Sequence, residues 1–488
     1  MKKRDLILIN PPLTLEERYG DLGAAGTDTA PLGLCYLAAM ARRGGYSVSI
    51  LDAPALGFSL DETITAVLAA SPRYVGITAT VIAIDRAGSL AGALKGRMPG
   101  VPVILGGPQV TADPRGVLEG YPGIDIGVFG EGEETLIELL GALRHRRELS
   151  AVPGLILRQD GDIILTGARE YIKNLDALPM PAWDLLPQPL GNYYEPAVFT
   201  TKQTPSFSLV TSRGCYGTCI FCDKAVFGSK CRWHSAQSVL AMMRDLHDTY
   251  GIREFAIADD LFVMFKERVF ELCRLIRESG MKVSWSCNAR ADFVTEEMLV
   301  AMRQSGCWQI AYGIESASEE ILRNIRKGMD LKKAKETIRL TRRHGIRVRG
   351  YFMFGSPGET VQTMKQTIAF VKDAGIDDFQ LTYFTPLPGS EIYERAEEFG
   401  RFDRNTKTLN YWRPSFVPYT VTPGELEYYY KRAYRTQYFR PRTVLSYAKM
   451  IRSPRHLWRL IQSACSLARM VFRGPRRTPD KEGVALDP

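Results

Sequence analysis

Apolar and polar positions alternate along this chain in two blocks. In the first, short apolar runs at 6–9, 48–51, 74–78, 103–105 and 124–128 are separated by stretches with helical periodicity, as at 32–41 and 133–144. Strand patterns alternating with helix patterns predict a parallel, doubly wound, Rossmann-like sheet. Two further runs, 155–157 and 163–165, flank Gln159-Asp-Gly-Asp162 and predict a hairpin. The proline-rich stretch 178–187 then predicts an extended strap, with Trp183 as its anchor. In the second block six apolar runs, at 207–211, 254–258, 283–286, 309–314, 348–354 and 379–384, alternate with helical patterns such as 266–278, 296–304 and 331–344. Six β/α units predict a partial (β/α)6 barrel of the TIM type. The expected divisions are an N-terminal sheet over 1–148, a connector over 149–204, the partial barrel over 205–395 and a helical extension over 396–488.

Parallel sheets bind ligands at the carboxyl ends of their strands. In the first block Asn10, Thr78, Gly106, Gly107, Gln109, Gly130 and Glu131 fall there. In the second, Asp259, Asp260, Asn288, Arg290, Glu315, Ser316 and the run from Gly355 to Glu359 do so. Taken singly, glycine pairs are turn chemistry and an aspartate is a helix N-cap.

Composition changes this picture in one place. The chain of 488 residues carries a net charge of +9, yet residues 431–477 contain thirteen Lys or Arg and no Asp or Glu, so the other residues hold 50 basic against 54 acidic groups. Within that tail, Leu457, Leu460, Ile461, Ala464, Leu467, Ala468 and Val471 share a helix face, with Arg455, Arg459, Arg469 and Arg473 among the polar positions. Such a helix either docks on the barrel or lies in a membrane interface, where a lipid-like substrate would fit. No nucleic-acid-binding module accompanies the basic residues, so nucleic acid is not expected as a partner. The charged start, Met1-Lys-Lys-Arg4, precedes too few apolar residues for a signal peptide, and no run of eighteen apolar residues exists. Nine cysteines, six of them scattered, do not form a disulfide framework and fit a reducing cytoplasm.

The other three cysteines carry the chemistry. Cys215, Cys219 and Cys222, spaced C-x3-C-x2-C with Gly214 and Gly217 among them, follow the first barrel strand directly. Thiolates so spaced select a soft metal centre. On a four-iron cluster three ligands leave one iron open, whereas a structural zinc site needs a fourth ligand, for which Cys231 and His234 are candidates.

The cysteine triplet, with aromatic Phe221 before its last member, resembles the signature of the radical S-adenosylmethionine (SAM) enzymes. That resemblance implies a [4Fe-4S] cluster on Cys215, Cys219 and Cys222, whose open iron chelates SAM, with Phe221 beside the adenine. It implies SAM contacts for Gly313, Glu315 and Ser316, for Gly355 and Gly358, and for Arg290 either a SAM carboxylate or a protein acid. Residues 1 to 145, through the strand-end glycines and Leu32 at the opening of the first helix, resemble the cobalamin-binding domain that precedes the radical SAM core in one subfamily. Asn10, Leu32, Thr78, Gly106, Gly107, Gln109, Gly130 and Glu131 are then the expected cobalamin contacts. The D-x-H-x-x-G motif of other cobalamin proteins is missing, and the first histidine is His145. Cobalamin is therefore expected with no protein histidine on cobalt; nitrogen superhyperfine splitting in the electron paramagnetic resonance spectrum of the cob(II)alamin form would refute this. The chemistry implied is a 5′-deoxyadenosyl radical that takes hydrogen from an unactivated carbon, then transfer of a methyl group from methylcobalamin, with flavodoxin or ferredoxin as electron donor. A tetrapyrrole-type oxidative cyclisation without methyl transfer is the alternative, and a non-catalytic electron carrier a third.

Overall fold

The computed structural model describes residues 4–159, 161–194, 200–451 and 453–472. Two sheets organise it, the first parallel over its first five strands and the second parallel throughout. The first has seven strands: β1 (Leu6–Asn10), β2 (Val48–Asp52), β3 (Tyr74–Thr78), β4 (Val103–Gly106), β5 (Ile126–Val128), β6 (Leu155–Gln159) and β7 (Asp162–Leu165), in the order β2-β1-β3-β4-β5-β6-β7. Leu6 to Ile9 are buried on both faces, as a central parallel strand covered by helices on each side requires. The expected hairpin forms, but as part of this sheet, because β6 pairs antiparallel with β5. The strap crosses back to the second unit, where Trp183 is buried and donates from Nε1 to Asp245 at 2.8 Å.

The second sheet has six parallel strands, ordered β15-β14-β13-β12-β11-β8 and curled as an open half-barrel. They are β8 (Ser206–Leu209), β11 (Glu254–Ile257), β12 (Ser284–Ala289), β13 (Cys307–Glu315), β14 (Arg347–Phe354) and β15 (Asp378–Tyr383); between β8 and β11 lies a short antiparallel pair, β9 (Ser212–Arg213) with β10 (Arg232–Trp233). Alternation along each strand sorts the two faces. Phe207, Phe255, Ile257, Trp285, Tyr312, Ile314, Phe352, Phe354 and Leu381 pack outward in one continuous core under the helices. Ser208, Ala256, Ser286, Asn288, Gly313, Tyr351, Gln380 and Thr382 face the concave side and keep contact with solvent. That polar concavity is closed at the strands' amino ends by Glu254, which accepts from Ser284 Oγ at 2.8 Å and from the backbone amides of Lys202 and Gln203.

The helix Pro423–Tyr438 covers the β15 edge through a run of tyrosines: Tyr430 stacks on Tyr383 at 4.1 Å, and the hydroxyls of Tyr430 and Tyr434 donate to Leu381 O. The last described helix, Pro454–Phe472, docks by its C-terminal half on Gly20–Ala25 and on Pro423–Tyr438. Arg473 and the basic residues beyond it lie outside the described residues.

Candidate active site

The three thiols stand on a loop between β9 and β10. Its root is fixed by Asp259, whose fully buried carboxylate accepts from Thr211 N, Thr211 Oγ1 at 2.6 Å and Ser212 Oγ at 2.8 Å, with Arg268 at 3.9 Å. Asp259 is therefore a brace for the strand entering the loop, neither a helix cap nor a group facing a ligand. Inside the loop two of the sulfurs approach Gly217: a methyl carbon placed there would lie 3.3 Å from Cys215 Sγ and 3.9 Å from Cys219 Sγ. The loop closes on itself through Cys215 N to Gly228 O at 3.2 Å and Lys224 Nζ to Gly217 O. Burial, then the nearby Asp260 carboxylate, push the Cys222 thiol up to about 12.

A zinc site would need a fourth ligand, and neither candidate is aimed at the sulfurs. His234 Nε2 lies 3.2 Å from the Tyr36 hydroxyl and Nδ1 3.3 Å from Asp176; burial lowers its pKa to about 4. The Cys231 thiol donates to Gly214 O at 3.4 Å. Among the described residues no three His, Cys, Asp or Glu side chains converge as the ligands of one metal ion do; thiolates on separate irons of a cluster stand further apart. The donor set fits a cluster.

Across the mouth from this loop, Glu315 ends β13 with φ +68°, a left-handed backbone that a residue with a side chain adopts at a cost of about 1–3 kcal/mol. The strain coincides with a register irregularity between Gly313 and Glu315. Lys327 Nζ meets Glu315 Oε1 at 2.8 Å, with both side chains about nine-tenths buried. Gly313 leaves the room for this pair, since a methyl carbon there would lie 2.8 Å from Glu315 Oε1. Arg290 pairs with a protein acid here, Nε and Nη2 binding Asp292, while Nη1 and Nη2 donate to Lys327 O and Gly328 O at 3.0 and 2.9 Å. It thereby holds the segment that carries Lys327. Ser316 is 1% exposed; its hydroxyl lies 3.5 Å from Thr367 Oγ1 and accepts from Ser318 N, so the side chain faces the wall rather than the mouth. Phe221 packs edge-on against Phe384 at 6.3 Å. Gly355 abuts Leu426 and Gly358 abuts Asn324.

Glu359 closes the Gly355 turn and is fully buried. It accepts from the Thr363 hydroxyl and from the backbone of Ser356 and Gly355, while Oε2 has no hydrogen-bond partner among the described residues. Burial pushes this carboxyl up to about 7 from 4.5. Between those values the unfolded chain releases a proton that the folded chain keeps, so its stabilising contribution is complete below pH 4.5 and is lost as pH rises through 7. Urea midpoints are expected to show Glu359→Gln gaining on the wild type across that window, by up to about 3 kcal/mol; parallel profiles would contradict it.

Two mouth residues escaped sequence reasoning. Tyr411 is 46% exposed and lies near Cys222 and Asp223. Lys327 carries no motif of its own. Asp260, expected with Asp259 at the end of its strand, remains accessible beside Cys222.

At the carboxyl edge of the first sheet, Thr78, Gly106 and Gly107 meet. Gly107 has φ +101°, and a methyl carbon there would lie 2.7 Å from Thr78 Oγ1 and 2.8 Å from Ala79 O, so only glycine passes. Gly130 N donates to Thr111 Oγ1 at 3.1 Å and its α-carbon faces open space. Gln109 is buried and its amide N donates to Ala79 O at 3.1 Å, while Leu32 opens its helix half-buried. Asn10 donates to Asp52 Oδ1 at 2.8 Å, and Tyr194 donates to Asp52 Oδ2 at 2.7 Å. Glu131 is engaged by protein groups on both oxygens. Arg213 Nη1 binds Oε1 at 2.7 Å, Arg232 Nη1 binds Oε2 at 2.7 Å, and Ile172 N donates at 2.8 Å; Arg213 Nη2 reaches Glu133 at 2.5 Å. All four charged side chains are over nine-tenths buried. This clamp joins the first sheet to β9 and β10, the two strands that carry the cysteine loop.

Known proteins match along the same division. The B12 binding domain family matches residues 20–140, and the Radical SAM superfamily matches residues 209–371. Over 452 residues the chain is 33% identical to an uncharacterised methyltransferase of Pyrococcus horikoshii, covering 91% of this chain and 95% of that protein. The chain belongs to the cobalamin-dependent radical SAM enzymes. As a member of this family it is an enzyme of the methyltransferase type whose cofactors are a [4Fe-4S] cluster, SAM and cobalamin. An anaerobic magnesium-protoporphyrin IX monomethyl ester cyclase of Rubrivivax gelatinosus is 27% identical over 404 residues, covering 81% of this chain and 71% of that protein. The fold agrees with that of TsrM, a radical SAM methyltransferase of Kitasatospora setae solved with cobalamin and a [4Fe-4S] cluster, at a TM-score of 0.69 and 18% identity over 96% of this chain and 99% of that one. The clamp ties the loop that bears Cys215, Cys219 and Cys222 to the part of the chain that the B12 binding domain family matches.

Proposed function

We propose that this enzyme methylates an unactivated carbon of a small-molecule or lipid-like biosynthetic intermediate. The observation that supports the reading is the clamp of Glu131 and Glu133 on Arg213 and Arg232, which ties the two strands flanking the thiol loop to the first sheet. Cys215, Cys219 and Cys222 bind three irons. When bound, the cluster and SAM supply a radical able to take hydrogen from carbon, and cobalamin supplies the methyl group. Glu315, its charge balanced by Lys327, accepts from the ammonium or ribose groups of SAM; Asp260 offers a second carboxylate beside Cys222, and Phe221 flanks the adenine. Thr78, Gly106, Gly107, Gln109 and Gly130 line the cobalamin side, with Leu32 at its margin. The substrate meets the concave face through Ser286, Asn288, Tyr351 and Gln380, and the closed amino end keeps bulk water from it. Reducing equivalents come from flavodoxin or ferredoxin.

The resemblance to the cyclase favours a second reading, oxidation of the substrate radical without methyl transfer. The greater identity and coverage of the methyltransferase relative speak for methylation. One anaerobic incubation with reductant, SAM, methylcobalamin and candidate substrates separates them. Methylation yields S-adenosylhomocysteine and 5′-deoxyadenosine in equal amounts; 5′-deoxyadenosine alone would transfer the assignment to the cyclase reading.

A further inference from the structure

After Tyr438 the chain turns its apolar side chains outward. On the helix Pro441–Ala448, Thr443 is buried, Ser446 accepts from Arg347 Nη1 at 2.8 Å, and the Tyr447 hydroxyl donates to Asp378 at 2.8 Å, whereas Val444 and Leu445 are 55% and 61% exposed. The helix Pro454–Phe472 repeats the inversion. Ser466 is buried and donates to Asp21 O at 2.8 Å, Met470 and Val471 pack on the core, and Leu457, Trp458 and Ile461 stand 41%, 60% and 44% exposed. Of the apolar face expected from sequence, only the Leu467 and Val471 end docks. Phe439 and Phe472 meet edge to face at 5.6 Å, so the ends of the segment come together and its outward side chains belong to one compact unit.

A helix docked on a water-soluble protein places leucines inward and serines outward. Hydroxyls facing the protein with leucine, tryptophan and isoleucine facing out implies a second apolar medium on that side. Charge says which. Residues 431–477 hold thirteen Lys or Arg and no Asp or Glu. A nucleic acid would be drawn to the charge but has no use for exposed aliphatic side chains. Basic groups around aliphatic residues and a tryptophan match the headgroup boundary of an anionic bilayer. Long basic side chains there keep their heads among phosphates while their stems lie along the acyl surface. Among the described residues no helix is long and apolar enough to cross a membrane, so contact is confined to one face.

We propose that residues 439–451 and 453–472 form a membrane-interface patch by which the enzyme docks peripherally on an anionic lipid bilayer. This stands apart from the reaction assigned above and does not rest on a lipid substrate. The test is co-sedimentation of the full-length holoenzyme with vesicles of phosphatidylcholine alone or mixed with phosphatidylglycerol, at low and physiological salt. Binding is expected only with the anionic vesicles, weakening with salt. The double variant L445E/W458E, altered at two exposed positions, is expected to bind at least tenfold more weakly with iron and cobalamin content unchanged, and R459E/R469E to weaken binding similarly. The proposal is overturned if the holoenzyme ignores anionic vesicles at low salt, if it binds both vesicle types equally, or if L445E/W458E binds as the wild type does. It is also overturned if sedimentation velocity reveals a dimer that L445E/W458E abolishes, since a second copy would then cover the patch.

Discussion

Glu131→Gln is expected to destabilise the enzyme by about 3–5 kcal/mol, the cost of stranding a buried charge whose partner is removed. Glu131 answers Arg213 and Arg232 at once, and neither guanidinium has access to water to make good the loss. For a domain of ordinary size that is roughly 6–12 °C or more in the unfolding midpoint. Arg213 keeps Glu133, so Arg232 bears most of the effect. Adding Arg232→Met to Glu131→Gln should therefore cost less than the sum of the single changes, since the two groups interact directly. Because the clamp joins the cobalamin-binding sheet to the root of the cysteine loop, cobalamin retention and iron retention should fall together in Glu131→Gln. A midpoint within 1 °C of the wild type would show that the pair is not the buried junction described.

Cys219→Ala is expected to abolish reductive cleavage of SAM, with iron falling from about four per chain to less than about one after reconstitution. No other thiol can take its place. Cys231 lies near Cys215 and its thiol is bonded to Gly214 O. Cys231→Ala should accordingly keep iron and activity. If Cys219→Ala retained the cluster and formed 5′-deoxyadenosine at the wild-type rate, the assignment of the three thiols would fail.

The parts of this molecule legible in the sequence are those that local pattern controls. Both parallel sheets follow from apolar runs whose burial on one or both faces matches their periodicity, and the cysteine loop is contiguous. The hairpin at 155–165 was legible as a hairpin but not as the edge of the first sheet, because strand pairing with Ile126–Val128 depends on a meeting of distant segments. Asp259 and Asp260 are neighbours with opposite settings, one a buried brace and one accessible beside Cys222, since alternate residues of a strand end face opposite sides. Glu131 read as a strand-end ligand; its carboxylate is held by arginines 82 and 101 residues away.

The sequence alone determined the contiguous set of three thiols and the succession of two sheets, because spacing and periodicity act within a few residues; the family and its cofactors entered as a resemblance, which the matching families and relatives then bore out. Only the tertiary structure decided which charges pair across the two sheets, that Arg290 holds the segment carrying Lys327, and that the last helices face their leucines outward. The physical reason is the same in each case: a buried ion pair or an exposed apolar face is defined by what packs against it, and that depends on how segments a hundred residues apart come together.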